Sequence, residues 1–141
     1  MRNCRLVAVV FAGMLWCSQS QADDGAQIVI RASEHQIAGY TRDGTRIARG
    51  YISSDKEHAG FKLWPSGTKT GTGNYILFGQ QKGHMIYVEI KNKNAIYDND
   101  GLLIFSKNTV ESFEIITKGN QYITADSYQI NITGGYFKMN L

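Results

Sequence analysis

Apolar and polar positions alternate with a period of two along most of this chain. The clearest case lies near its end, where Tyr128, Ile130 and Ile132 alternate with Gln129, Asn131 and Thr133. That is the pattern of a strand with one face in a core and the other in water. Shorter runs of the same kind predict further strands: Ala26 to Ala32, Arg46 to Ser53, Gly60 to Trp64, Tyr75 to Phe78, Met85 to Ile90, Leu102 to Phe105 and Val110 to Ile116. Pro65 is predicted to end the third of these, because a residue without an N–H does not belong in a central strand. Turn chemistry punctuates the runs at Arg42-Asp43-Gly44-Thr45, Gln80-Gln81-Lys82-Gly83 and Lys118-Gly119-Asn120-Gln121. Ser66 to Asn74, rich in Gly, Thr and Ser, predicts a loop, and Lys91 to Gly101 a polar connection. No stretch sustains a 3.6-residue apolar period. Short strands at fairly regular spacing predict one all-β domain, a sandwich or a barrel.

The last alternating run poses a problem of its own. The sequence stops within nine residues of Ile132, and no further alternating run follows it. One edge of that strand is therefore expected to be uncovered, and an uncovered apolar edge is a template for pairing with another strand.

The start of the chain changes the composition that matters. Arg2 and Arg5 precede the apolar run Leu6 to Cys17, which is followed by polar residues and by Ser20-Gln21-Ala22. A basic start, a short apolar run and a small-x-small site predict a secretory signal peptide over residues 1–22, cut after Ala22. The run is shorter than the roughly 20 residues that span a bilayer, and bulky Trp16 before Cys17 argues against a lipoprotein signal. Removing 22 of 141 residues leaves a domain of 119, residues 23–141. Basic residues fall from 15 to 13 against 12 acidic ones, a net charge of about +1. The overall pI of about 8.9 thus describes the precursor, and a nucleic-acid partner loses its support. Cys4 and Cys17, the two cysteines, leave with the leader. The mature chain then has no disulfide, thiolate metal site or cysteine nucleophile, although small exported domains often depend on disulfides.

Candidate chemistry is sparse. His35, His58 and His84 stand beside acids or turns; three histidines with an open position form one kind of catalytic zinc site, but their spacing fits no helical metal motif, and scattered surface histidines are the expectation. No Gly-x-Ser-x-Gly elbow is present. The glycines of Gly67 to Gly73 lack the Gly-Lys-Thr ending of a phosphate loop and are expected to form a flexible hairpin loop. No catalytic residue, cofactor or metal is expected. Tyr51, Tyr75, Tyr87 and Tyr128 fall in predicted strands and suit cross-strand packing or a binding surface. Asn131-Ile132-Thr133 is a formal glycosylation sequon, taken as coincidence inside a strand.

Two blocks of the chain resemble a known family. Arg42-Asp43-Gly44-Thr45-Arg46-Ile47-Ala48-Arg49-Gly50-Tyr51-Ile52 followed by Glu57-His58-Ala59-Gly60-Phe61-Lys62-Leu63-Trp64 is similar to a block in the minor tip (invasin-type) subunits of enterobacterial Afa/Dr fimbriae and in the minor subunits of aggregative adherence fimbriae. Lys118 to Gly135 is similar to the family's closing strand, and Asn74 to Ile90 matches more loosely. The resemblance implies an immunoglobulin-like β-sandwich lacking its last strand, completed by a donor strand from a periplasmic chaperone and then from a neighbouring major fimbrial subunit, with assembly through an outer-membrane usher. It implies passage through the periplasm to the cell surface and a role in host-cell attachment or entry, toward a receptor left unidentified. It also implies a cysteine near Ser54 and another near Phe137, joining the second and last strands. This chain has neither, and a long-loop disulfide is worth roughly 2–5 kcal/mol.

Two expectations follow. Ile28 and Ile30 on the first strand of the domain, with Tyr128, Ile130 and Ile132 on the last, should line an apolar groove open to a donor strand, the pairing physics of β-augmentation. Asp23-Asp24-Gly25, all that precedes Ala26 after cleavage, spans at most about 10 Å, too little to reach a neighbour's groove, so the subunit should accept a strand without giving one and occupy a tip. The alternative is a small periplasmic or secreted β-barrel, acting as an enzyme, an inhibitor or a lectin-like binding protein.

Overall fold

The computed structural model describes residues 2–9, 14–19, 26–33, 38–98 and 101–139. The expectations for His35 and for the cleavage site at Ala22 lie outside those residues. In chain order the strands are β1 (Arg2–Val9), β2 (Met14–Gln19), β3 (Ala26–Ala32), β4 (Gly39–Thr41), β5 (Arg46–Ser54), β6 (Gly60–Ser66) and β7 (Thr68–Gly71). They continue with β8 (Asn74–Phe78), β9 (Met85–Lys91), β10 (Ala95–Tyr97), β11 (Leu102–Phe105), β12 (Val110–Thr117), β13 (Gln121–Ile123) and β14 (Ser127–Phe137). One six-stranded sheet runs β10-β11-β6-β14-β1-β2 and another runs β3-β5-β12-β9-β8-β7, with β13 and β4 forming a separate ribbon.

The period-two runs explain the two layers. Along β14 the burial alternates, with Tyr128, Ile130 and Ile132 buried and Gln129, Asn131 and Thr133 half-exposed. Facing them from the second sheet are Ile28, Ile30, Ile52, Phe113 and Ile115, in one continuous core. Glycine makes room in the core at two points, one within the second sheet and one between the sheets. At Gly50 a Cβ would run into the Phe113 ring, and at Gly134 into the δ-methyls of Ile28 and Ile52. Phe113 thus fills space left by its neighbour on β5, and Ile28 and Ile52 fill space left by β14 of the other sheet, as close packing requires.

Three connections depart from the sequence expectations. The Gly- and Thr-rich stretch contains a strand, β7, paired with β8 and shifted in register between Lys69 and Gly71. Gly73, at φ +79° and against the Tyr97 ring, makes its turn. The polar stretch after Lys91 contains β10, paired with β11. Here Asn92 Nδ2 donates to the Ser112 carbonyl at 2.7 Å, and Gly101 N donates to Asp98 Oδ1 at 2.7 Å. Asn and Asp side chains close the turns around a strand too short to show a period. Finally, Pro65 lies inside β6, opposite Ile132. β6 is central only where β11 flanks it, and β11 reaches no farther than Leu63. Beyond that point β6 is a sheet edge, where proline is tolerated.

Candidate functional site: the edge of the last strand

β14 has two edges. On one, Asn131 to Phe137 pairs with β6. The start of that same edge is covered from the other sheet. The tip of the β8–β9 hairpin reaches across, Gly79 bridging Tyr128 and Gln80 N donating to the Ser127 carbonyl at 3.2 Å. Asp126 fastens this tip. Its carboxylate accepts from Gln81 N at 2.9 Å, His84 Nδ1 at 2.9 Å and Ser127 N at 2.7 Å, with its side chain only 7% exposed. These bonds, led by that from Gln81 N, hold the Asp126 pKa below its ordinary 3.8. Gly79 permits the approach, since a Cβ there would strike the carboxylate.

The other edge of β14, over Ser127 to Gly134, is the one expected to be uncovered. In the full chain it is paired by β1, antiparallel, from Arg2 opposite Gly134 to Val9 opposite Ser127. Cys4, Leu6 and Ala8 are the partners of Ile132, Ile130 and Tyr128, and β2 pairs with the far side of β1. The strand therefore comes from the stretch read as a leader. The physical reason is the one that makes an open edge hazardous: its unpaired main-chain groups accept an extended apolar segment that can reach them.

The structure brings the five sequence-derived groove residues into one region. Tyr128, Ile130 and Ile132 lie on β14 at 0%, 4% and 1% exposure, and Ile28 and Ile30 at 1% and 2% lie on β3, the terminal strand of the second sheet. Tyr128 is anchored by its hydroxyl, which donates to the Thr124 carbonyl at 2.6 Å. Burial raises its pKa, with the nearby Asp126 charge adding to the effect.

One histidine behaves differently from the sequence expectation. His58 is not a surface histidine: it is buried, its ring 4.5 Å from that of Phe61. Its Nδ1 lies 2.6 Å from the Lys56 carbonyl and its Nε2 2.8 Å from the Asn108 carbonyl. The ring ties the loop after β5 to the loop before β12, and the His58-Ala59-Gly60-Phe61 sequence gave no periodic signal of it. At the positions where the resemblance implies cysteines, Ser54 is buried, its Oγ accepting from Lys56 N at 3.2 Å. Phe137 packs edge-on against Phe105, ring centres 5.3 Å apart. Among the described residues there is no group of three or more His, Cys, Asp or Glu placed to hold a metal ion.

A two-sheet all-β sandwich whose last strand takes a neighbour from a separate segment defines a class: the immunoglobulin-like subunits of chaperone–usher fimbriae. Solved structures of that class match the fold. The minor tip subunit HdaB of the Escherichia coli Hda pilus superposes with a TM-score of 0.74 at 21% identity, over 81% of this chain and 84% of that one. The Salmonella SafD adhesin gives 0.68 at 22%, over 81% and 98%. The Escherichia coli protein AggB is 25% identical over 138 residues, 94% of this chain and 89% of AggB. Residues 37–134 match the family described as Enterobacteria AfaD invasin protein, and this chain belongs to that family. It is a fimbrial subunit of the adhesin and invasin type.

Proposed function

We propose that this protein is a fimbrial tip subunit that accepts a donor strand along Ser127 to Gly134 and contributes to host-cell attachment or entry. The observation that carries this reading is the antiparallel seating of an eight-residue strand on that edge. Removal of residues 1–22 takes away both β1 and β2 and leaves Ile28, Ile30, Tyr128, Ile130 and Ile132 facing an empty strand position. A periplasmic chaperone fills it first. After delivery through an outer-membrane usher, the major fimbrial subunit replaces the chaperone by donor-strand exchange, and the subunit reaches the cell surface. The role is adhesive, with no catalysis, cofactor or metal.

The tip position rests on β3. A subunit inside a fibre must give a strand, yet Ala26 to Ala32 is bonded along its whole length to β5, from Ala26 opposite Ser54 to Ala32 opposite Ala48. HdaB, similar in fold, is itself described as a minor tip subunit.

The test is recovery of residues 23–141 from the periplasm with and without the system's chaperone. The expected result is a one-to-one complex with the chaperone and aggregation without it. A stable soluble monomer in the absence of any partner would instead indicate a closed barrel of enzyme, inhibitor or lectin type.

A further inference from the structure

The outer face of the second sheet carries a row of charges that the donor-strand edge does not use. Arg31 on β3 stands opposite Arg49 on β5, Arg49 opposite Glu114 on β12, and Glu114 opposite Lys91 on β9. Neighbouring strands are about 4.8 Å apart, so the row is about 14 Å long. Arg46 joins it from the end of β5. Its Nη1 is 3.7 Å from Glu114 Oε1, while Arg49 Nη2 is 2.9 Å from the same oxygen. Four cations thus share one carboxylate. Glu89, the next acid on this face, is taken by Lys118 at 3.5 Å. Among the described residues neither Arg31 nor Lys91 has an ion-pair partner.

This arrangement does not serve the sheet. Like charges placed directly opposite one another across a strand pair are destabilising, and Arg31 and Arg49 are so placed. Glu114 is bonded to Arg49 and cannot balance the rest. Beyond Lys91 the row runs into a shallow cavity of about 400 Å³ bordered by Asn92, Lys93, Ser112 and two carboxylates, Glu114 and Glu111, the latter occupied by Ser106 Oγ and Asn108 Nδ2, which donate to it. Three of the four cations are arginines, whose planar fork binds tetrahedral and planar oxyanions by paired hydrogen bonds.

We propose that this face binds a sulfated glycan chain, laid across β3, β5, β12 and β9. The choice of a glycan over another polyanion rests on the surface location of a fimbrial subunit, where sulfated polysaccharide is the linear polyanion within reach. The site is independent of the donor-strand edge, since its residues point away from the core that β14 faces.

The donor-complemented subunit, residues 23–141, is applied to immobilised heparin at about 0.15 M salt, the ionic strength at which weak surface electrostatics are already screened. Wild type should be retained, and the double variant Arg31→Gln/Lys91→Gln should bind at least about tenfold more weakly. Because neither residue is ion-paired among the described residues, and because Arg31→Gln removes a like-charge opposition while Lys91→Gln places no second carboxylate opposite Glu114, the variant's melting temperature should be essentially unchanged. Its recovery with the chaperone should also be normal, which separates this site from the donor-strand edge. Passage of wild type through the column, equal binding by the variant, or competition by duplex DNA as effective as that by soluble heparin would each overturn the proposal.

Discussion

At the scale of single residues, this fold is decided by what is missing as much as by what is present. Gly50 has no side chain because the Phe113 ring occupies that space from the strand directly opposite. Replacing it with alanine forces an overpacked contact in a core that cannot flow aside, at a cost of about 1–3 kcal/mol. Gly50→Ala should therefore lower the melting temperature of the donor-complemented subunit by several degrees. Gly134→Ala should cost less, because the colliding atoms are the flexible ends of Ile28 and Ile52. Asp126 shows the opposite principle, a charge held by donors. Its folded pKa lies below the ordinary 3.8, so its contribution is complete above that value and is lost as pH falls through the folded pKa. The stability gap between wild type and Asp126→Ala should be widest near neutral pH and close progressively below about pH 4, as read from thermal melts across that range.

At the scale of elements, the legibility of the sequence followed the length of the alternating run. β3, β5, β9, β12 and β14 are each seven residues or longer, enough for a period of two to show; in β9 and β14 the alternation marked the buried face, whereas in β5 the adjacent burial of Ile47 and Ala48 blurred it. β7 and β10 are four and three residues, too short for any period, and their Gly, Thr and Asn content reads as loop. Pro65 misled because the sequence does not reveal where β11 stops covering β6. His58 misled because its partners are main-chain carbonyls of Lys56 and Asn108, and main-chain acceptors leave no trace in a side-chain pattern. The burial of Ile28, Ile30, Tyr128, Ile130 and Ile132, the residues of the proposed groove, was legible because each sits on the apolar face of an alternating run. A charge placed at the middle of that groove should be decisive. Ile130 is 4% exposed, burial of such a side chain is worth about 1.5–3 kcal/mol, and an unpaired carboxylate costs more. Ile130→Asp should abolish co-purification with the chaperone, whereas Gln129→Glu, on the half-exposed face of the same strand, should leave it intact. Equal loss in both variants would mean that strand integrity, not the groove, had been measured.

At the scale of the whole molecule, the question is what the subunit can do to its neighbours. With β3 committed to β5, the subunit is proposed to receive a strand and to give none. Expressed with chaperone and usher but without other subunits, the protein should yield only chaperone-bound monomers. Regular homopolymers under electron microscopy would place it in a shaft instead. The missing disulfide is a whole-molecule matter too. Without that covalent tie between the sheets, the ends of β5 and β14 are secured by the His58 bridge and by Phe137 against Phe105. Phe105→Ala should therefore destabilise this subunit, read as a lowered melting temperature, by less than the about 3–5 kcal/mol that truncating a fully buried phenylalanine costs, because the ring is 43% exposed.

The hairpin tip that crosses from one sheet to the other has a mechanical meaning. A strand seated beside β14 and pulled by a fibre under flow is loaded along its own axis, so the ladder of main-chain bonds is sheared together rather than opened one by one. The load then passes into β14, whose first residues are tied to the β8–β9 hairpin through Gly79, Gln80 and the Asp126 carboxylate. Tension entering one layer is thereby shared with the other. The Asp126 clamp, modest as a contributor at equilibrium, stands where the two layers would share that load.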